Sequence, residues 1–248
     1  MKGIILAGGT GSRLRPLTNV TNKHLLPIYN KPMVFYPLEF LKSMGITEII
    51  LTTGKEFAGD FADLLGDGSA FGVSLTYKVQ ESALGIAHAL NVTESIVGGD
   101  SIMVILGDNI FMLGREEEAL IRKKTAAFAA SPEGAMIFLK EVEDPRRFGV
   151  PTLGKEGKLL AITEKPSQPG SKYAVTGLYL YDHNVFGKIK RLKPSPRGEF
   201  ELTDVNNAYL AEGKLDYHVI EGEWTDAGTF ESLYRANLIA KEKSQEEK

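Results

Sequence analysis

Leu6-Ala7-Gly8-Gly9-Thr10-Gly11-Ser12-Arg13-Leu14-Arg15-Pro16 follows without a break on the apolar, strand-forming residues 3–7. A glycine-rich loop at the carboxyl end of a first strand is where open α/β sheets bind ligands, so this stretch decides the fold class and the place of the site together. Its composition suits phosphate. Glycines let backbone amides approach an anion, Thr10 and Ser12 add hydroxyl donors, and Arg13 carries a planar fork that matches phosphate oxygens. A structural turn is the plainer alternative. A Walker A loop would need Gly-Lys-Ser/Thr where Gly11-Ser12-Arg13 stands, and a dinucleotide loop begun at Gly9 would need glycine in place of Leu14. A P-loop kinase and a dehydrogenase are both disfavoured.

Outward from the loop, residues 32–44 have helical spacing, Gly45 is placed to end that helix, and residues 48–53 read as the next strand, which completes a βαβ unit. Residues 74–79 alternate as a half-buried strand, 86–97 fit a helix, and 101–106 form an apolar strand ending in Gly107-Asp108-Asn109. A helix is predicted over 116–130 and a strand over 135–139. Turns follow at Glu143-Asp144-Pro145 and Gly154-Lys155-Glu156-Gly157, then an aromatic strand over 174–181, a Pro/Gly loop over 193–198, and helices over 204–212 and 230–243. Residues 241–248 form a charged tail expected to fray into solvent. Short apolar runs between helical segments point to a single α/β domain over 1–240, Rossmann-like, with a mixed, mostly parallel sheet flanked by helices. No internal repeat or linker divides it.

The chain has 248 residues, 29 Lys+Arg against 32 Asp+Glu, 43% hydrophobic residues and no cysteine. Such a composition excludes a disordered chain, and interspersed charge with no basic field argues against nucleic acid as a partner. Without cysteine there are no disulfides, thiol nucleophiles or cysteine-zinc sites. The apolar run Ile4 to Ala7 is shorter than a signal-peptide core of about 7 to 15 residues, and no stretch approaches the roughly 20 needed to span a bilayer. A cytoplasmic location away from membranes is expected. His24, His88, His183 and His218 lack metal-ligand spacing and are read as structural or surface residues.

Further segments, taken in order, carry a family likeness. These are Asn22-Lys23-His24-Leu25-Leu26-Pro27, Leu106-Gly107-Asp108-Asn109, Phe148-Gly149-Val150, Glu164-Lys165-Pro166, Tyr173-Ala174-Val175-Thr176-Gly177, Arg197-Gly198-Glu199-Phe200-Glu201-Leu202-Thr203-Asp204 and Trp224-Thr225-Asp226-Ala227-Gly228-Thr229. With the glycine-rich loop, they make nearly the whole chain similar to the sugar-nucleotide pyrophosphorylases, and within them to the thymidylyltransferase branch. The resemblance implies the nucleotide-diphospho-sugar transferase fold. It further implies attack by the phosphate of glucose 1-phosphate on the α-phosphorus of dTTP, with Mg2+ as cofactor and a homo-oligomer as the assembly. Longer members of that branch continue several tens of residues past the helix ending near Ala240, and the extension contributes to their subunit contacts and to a regulatory nucleotide site; feedback inhibition at that site and a tetramer of the usual kind are not expected of this shorter chain.

A nucleophile that is already an ionised phosphate needs no general base, so the chemistry calls for cations and metal ligands rather than a triad. The resemblance assigns Arg13, Lys23, Asp108 and Asp226 to catalysis, the two aspartates as the metal pair, with Asp226 read as lying in a turn. Read locally, Lys23 fits a solvated face as well as a functional cation, and Asp108 fits a helix cap or turn acid. A nucleotide lobe over about 1–110 would contribute Leu6, Gly8, Gly9, Thr10, Gly11, Ser12, Arg13, Gln80 and Gly85. Gln80 has an amide suited to a pyrimidine edge, and Gly85 would let a base lie close to the backbone; a solvated strand end is the alternative for Gln80. The sugar-phosphate side, over about 140–230, would supply Gly149, Glu164, Lys165, Val175, Arg197 and Trp224, joined by Asn109. Glu164 and Lys165 equally suit a surface ion pair. Between Gln80 and Gly85 the stretch Glu81-Ser82-Ala83-Leu84 departs from the branch's Pro/Asp-containing pattern, which leaves a UTP-dependent uridylyltransferase as the rival enzyme. A silent sugar-nucleotide sensor would have lost Lys23, Asp108 or Asp226, and all three are present.

Overall fold

A computed structural model describes residues 1–82 and 84–246; Ala83 of the predicted base-pocket stretch and Glu247 and Lys248 of the predicted tail lie outside the described residues. In chain order the strands are β1 (Lys2–Ala7), β2 (Pro27–Ile28), β3 (Lys31–Pro32), β4 (Glu48–Gly54), β5 (Ser74–Gln80), β6 (Ile102–Leu106) and β7 (Asn109–Met112), followed by β8 (Ala135–Glu141), β9 (Gly149–Leu153), β10 (Leu159–Glu164), β11 (Tyr173–Tyr181), β12 (Leu215–Val219) and β13 (Glu223–Asp226). The helices are α1 (Phe35–Ser43), α2 (Ala58–Leu65), α3 (Ile86–Asn91), α4 (Glu94–Val97), α5 (Arg115–Ala130), α6 (Val185–Ile189), α7 (Leu202–Ala211) and α8 (Phe230–Glu246).

Among the described residues the main sheet has seven strands in the order β12-β8-β11-β6-β1-β4-β5. Its pairings are parallel except for those of β11, which runs antiparallel to both β6 and β8. The mixed, mostly parallel sheet expected from the sequence is the one observed. β1 lies inside the sheet, between β4 and β6, and alternation along it feeds two cores. Ile5 packs with Leu38 and Leu41 of α1, Phe61 of α2 and Ile121 of α5. Ile4 and Leu6 face the opposite layer, with Ala87 and Leu90 of α3, Phe186 of α6 and Val205 and Tyr209 of α7. Burial on both faces is why the strand reads as an unbroken apolar run.

A third cluster holds the site's frame. Ala236 and Ala240 of α8 pack with Leu14, Ile28, Met33, Ile110 and Ala227, so the last helix is pinned beside the glycine-rich loop and the β7–β13 ribbon. Several local boundaries differ from expectation. α1 starts only at Phe35 because Lys31–Pro32 pairs with Pro27–Ile28. The helix predicted over 86–97 breaks into α3 and α4 where the Thr93 hydroxyl bonds to Leu90 O at 2.7 Å. α2 has no counterpart among the predicted helices, and α8 continues through Glu246, where fraying is expected from the charge. Among the described residues no helix is long and apolar enough to cross a membrane.

Candidate active site

The cleft opens at the carboxyl ends of the central parallel strands and has a volume of about 720 Å³. β1 delivers the glycine-rich loop into it, β5 delivers Gln80, and Asp108 stands in the tight link between β6 and β7. Asp226 reaches the same place by a route the sequence does not display. It ends β13, which pairs antiparallel with β7 so that Asp226 is opposite Asn109, and the next amide, Ala227 N, donates to Asp108 O at 2.7 Å. The turn predicted around Asp226 is thus a strand, and its ladder brings together two carboxylates more than a hundred residues apart.

Both carboxylates carry cations. Lys23 Nζ donates to Asp108 Oδ2, while Arg147 Nη2 donates to Asp226 Oδ2 at 2.7 Å. Burial would raise the Asp108 pKa, but the Lys23 ammonium, aided by a 2.9 Å hydrogen bond from the Asn109 amide, holds it well below the usual carboxylate range. Asp226 moves the other way: burial and then the negative charge of Asp108 push its pKa up, against opposition from Arg147, Arg13 and Lys23. The two aspartates thus share one electrostatic site. Beside them His24 is buried, with Nδ1 2.7 Å from Asn22 Oδ1, and burial lowers its pKa to about 3. It stands as a neutral ring in the cleft wall, held by Asn22.

At the base end Gln80 is anchored rather than solvated, since Nε2 donates to Ser82 O at 2.8 Å and lies 3.2 Å from His88 Nδ1. Gly85 lines the cleft with φ of 103°, and a Cβ there would meet Phe200 O at 2.6 Å, so the fold itself demands glycine at this position. The opposite end gathers Glu164, Lys165 and Arg197. Thr203 donates to Glu164 Oε2 at 2.5 Å, Lys165 Nζ lies 3.3 Å from Glu164 Oε1, and Arg197 sits among Glu164, Glu199 and Glu201. Lys165 holds φ at 44°, a left-handed conformation uncommon outside glycine and often found at functional positions.

Every site residue expected from the sequence lines this cleft except Gly11, whose carbonyl accepts the Thr18 hydroxyl at 2.8 Å. Trp224 and Asn109 line it with their side-chain polar atoms already paired, Trp224 Nε1 donating to Asn109 Oδ1 at 2.7 Å and the Asn109 amide donating to Asp108. Sequence reasoning missed Arg147 and Tyr179. Arg147 follows an ordinary turn, and Tyr179 reads as core in an aromatic strand, so neither carried a local signal. Among the described residues no group of three or more His, Cys, Asp or Glu side chains is placed to hold a metal ion. The Asp108–Asp226 pair offers hard oxygen ligands only, which suits a divalent cation that completes its shell with phosphate and water.

Residues 2–243 match the family model for nucleotidyl transferases. The glucose-1-phosphate thymidylyltransferase of Neisseria meningitidis is 44% identical over 95% of this chain and 81% of its own length, and that of Mycobacterium tuberculosis is 43% identical over the same shares. A Bacillus anthracis crystal structure, named as a candidate glucose-1-phosphate thymidylyltransferase in complex with sucrose, superposes with a TM-score of 0.89 at 54% identity, covering 97% of this chain and 95% of that one. A UDP-glucose pyrophosphorylase with UDP-glucose shares the fold, at a TM-score of 0.84 over 98% of each chain and 22% identity. Matched along almost its entire length, and with a cleft built from the residues described above, this chain belongs to the nucleotidyl transferase family, among the relatives of the glucose-1-phosphate thymidylyltransferases.

Proposed function

We propose that the chain forms dTDP-glucose and pyrophosphate from dTTP and α-D-glucose 1-phosphate. One observation supports this most: a single cleft has a carboxylate pair ringed by Arg13, Lys23 and Arg147 at its centre and a Glu164, Lys165, Arg197 cluster at one end. The first group suits a triphosphate and the second a phosphorylated sugar. The glycine-rich loop would hold the triphosphate, with Arg13 and Lys23 offsetting charge on the departing pyrophosphate. Lys165 and Arg197 would align the sugar phosphate for in-line attack, and Glu164 with the Gly149 backbone would take sugar hydroxyls. Gln80 would read the base. Bound at Asp108 and Asp226, Mg2+ would supply charge neutralisation at the phosphate being attacked. The chain's own part is alignment and electrostatics, because the nucleophile arrives ionised.

The test is pyrophosphate release from glucose 1-phosphate and Mg2+, with dTTP, UTP, ATP, CTP and GTP offered separately. Release chiefly with dTTP is expected, and Asp226→Asn or Asp108→Asn should lower it by about a hundredfold or more while the fold survives. Preference for UTP would reassign the base pocket, and no release with any nucleotide would refute the activity.

A further inference from the structure

Three cations and two carboxylates occupy the centre of the cleft. Lys23 sits on Asp108, Arg147 on Asp226 Oδ2, and a Cβ built on Gly228 would lie 2.9 Å from Arg13 Nη2 and 3.1 Å from that same Asp226 oxygen, so Arg13 borders the pair as well. Each proposed metal ligand is therefore already engaged in an ion pair, with one positive charge in excess. A carboxylate oxygen held by a guanidinium is a poor partner for a hard cation. A divalent cation arriving alone would meet net positive charge at short range. Arriving with a triphosphate, it would come as part of an anion.

Of the two cations paired with these carboxylates, Arg147 is the more exposed. Its side chain is 39% exposed against 13% for Lys23, it ends the short 3-10 turn Pro145–Arg147, and its guanidinium lies 5.5 Å from the centre of the Phe148 ring, a surface it can slide along. Building on the nucleotidyltransferase reading, we infer that Arg147 exchanges partners. It closes Asp226 in the folded chain, and on entry of a metal–nucleotide complex its guanidinium leaves the carboxylate, which then faces the cation, and takes phosphate oxygens instead. Arg147 would thus be a gate against the bare cation and a ligand for the complex.

The experiment measures two affinities of the intact chain without sugar phosphate, so that no turnover occurs. Mn2+ alone is followed by the electron paramagnetic resonance of the free ion, and preformed Mn2+–dTTP by calorimetry. Arg147→Met should bind Mn2+ alone about tenfold more tightly and Mn2+–dTTP about tenfold more weakly than the parent, with Arg147→Lys between. Opposite signs are the signature, since a merely structural role would weaken both or neither. Affinities that stay unchanged, or move in the same direction, would overturn the exchange. Arg147→Gln provides a second uncharged variant should the Met form fold poorly. If the parent binds Mn2+–dTTP, Mn2+–UTP and Mn2+–ATP no better than Mn2+ alone, the nucleotidyltransferase reading itself fails, which separates the two ideas.

Discussion

The indole N–H of Trp224 donates to Asn109 Oδ1 at 2.7 Å. The same oxygen accepts the amide of Gly177 at 2.8 Å, and the Asn109 side-chain amide donates to Asp108 Oδ1 at 2.9 Å. One buried side chain thus ties together the β7–β13 ribbon, the central strand β11 and the orientation of a proposed metal ligand. Removing it leaves two buried N–H groups unpaired, so Asn109→Ala should lose about 3 kcal/mol of stability in urea unfolding. Asn109→Asp keeps the acceptor but sets a second carboxylate against Asp108. It should lose turnover out of proportion to stability, and an Asp variant as active as the parent would show that Asp108 needs no such support.

Asp182 is a buried carboxylate with four donors. Gly134 N at 2.9 Å, Asn184 N and Nδ2 at 3.0 Å and the Tyr209 hydroxyl at 2.6 Å all point at it, joining the start of β8 to α7. Burial raises its pKa, but the hydroxyl and amide donors outweigh burial and the net shift is downward. A carboxyl whose pKa is depressed by folding stabilises fully above its unfolded value, near 4, and loses that contribution as pH falls through the folded value. Asp182→Ala should therefore cost about 3 kcal/mol at pH 7. The gap between parent and variant should narrow in unfolding curves taken below pH 4; a gap that widens there would mean the shift has the opposite sign.

Much of this architecture is written in short-range patterns. The unbroken apolar runs of β1, β4 and β6 mark central parallel strands, and the loop at Gly8–Arg13 marks their ligand-binding end, because burial and anion binding both impose local composition. What stayed hidden depends on pairing between distant segments. Glu223–Asp226 is too short to declare itself a strand, and only its ladder with Asn109–Met112 carries Asp226 to Asp108. Arg147 and Tyr179 reach the cleft by virtue of where their neighbours pack. Gly85 is legible as a site residue, yet the reason for glycine there, the backbone of Phe200, lies over a hundred residues away.

Two glycines separate conformational need from convenience. Gly59 lies within α2, has open space within 4 Å of where a Cβ would stand and no positive φ, so Gly59→Ala should stabilise by about 0.5 to 1 kcal/mol. Gly85→Ala meets both obstacles, φ of 103° and the Phe200 backbone at 2.6 Å, and should destabilise by about 2 kcal/mol or more. Thermal unfolding of the two variants beside the parent decides it. A neutral Gly85→Ala would mean that the 84–86 segment can take another path without cost.

Gly8 and Gln80 are expected to act as one unit. Gln80 Nε2 is fixed by Ser82 O and the His88 ring, which leaves Oε1 facing the glycine-rich loop, where a Cβ on Gly8 would lie only 2.5 Å away. Gly8→Ala must then displace the Gln80 side chain. If Gln80 reads the base, each single change, Gly8→Ala or Gln80→Ala, should raise the dTTP KM by about tenfold, a loss of about 1.4 kcal/mol of binding. In the double variant the obstructing amide is gone, and the next atom near the new methyl is Gly54 N at 3.9 Å, an ordinary contact. The second substitution should therefore add little, giving a combined rise near tenfold where independent effects would give about a hundredfold. Multiplicative effects on KM would show that Gly8 serves the triphosphate through its own backbone and that its closeness to Gln80 is incidental.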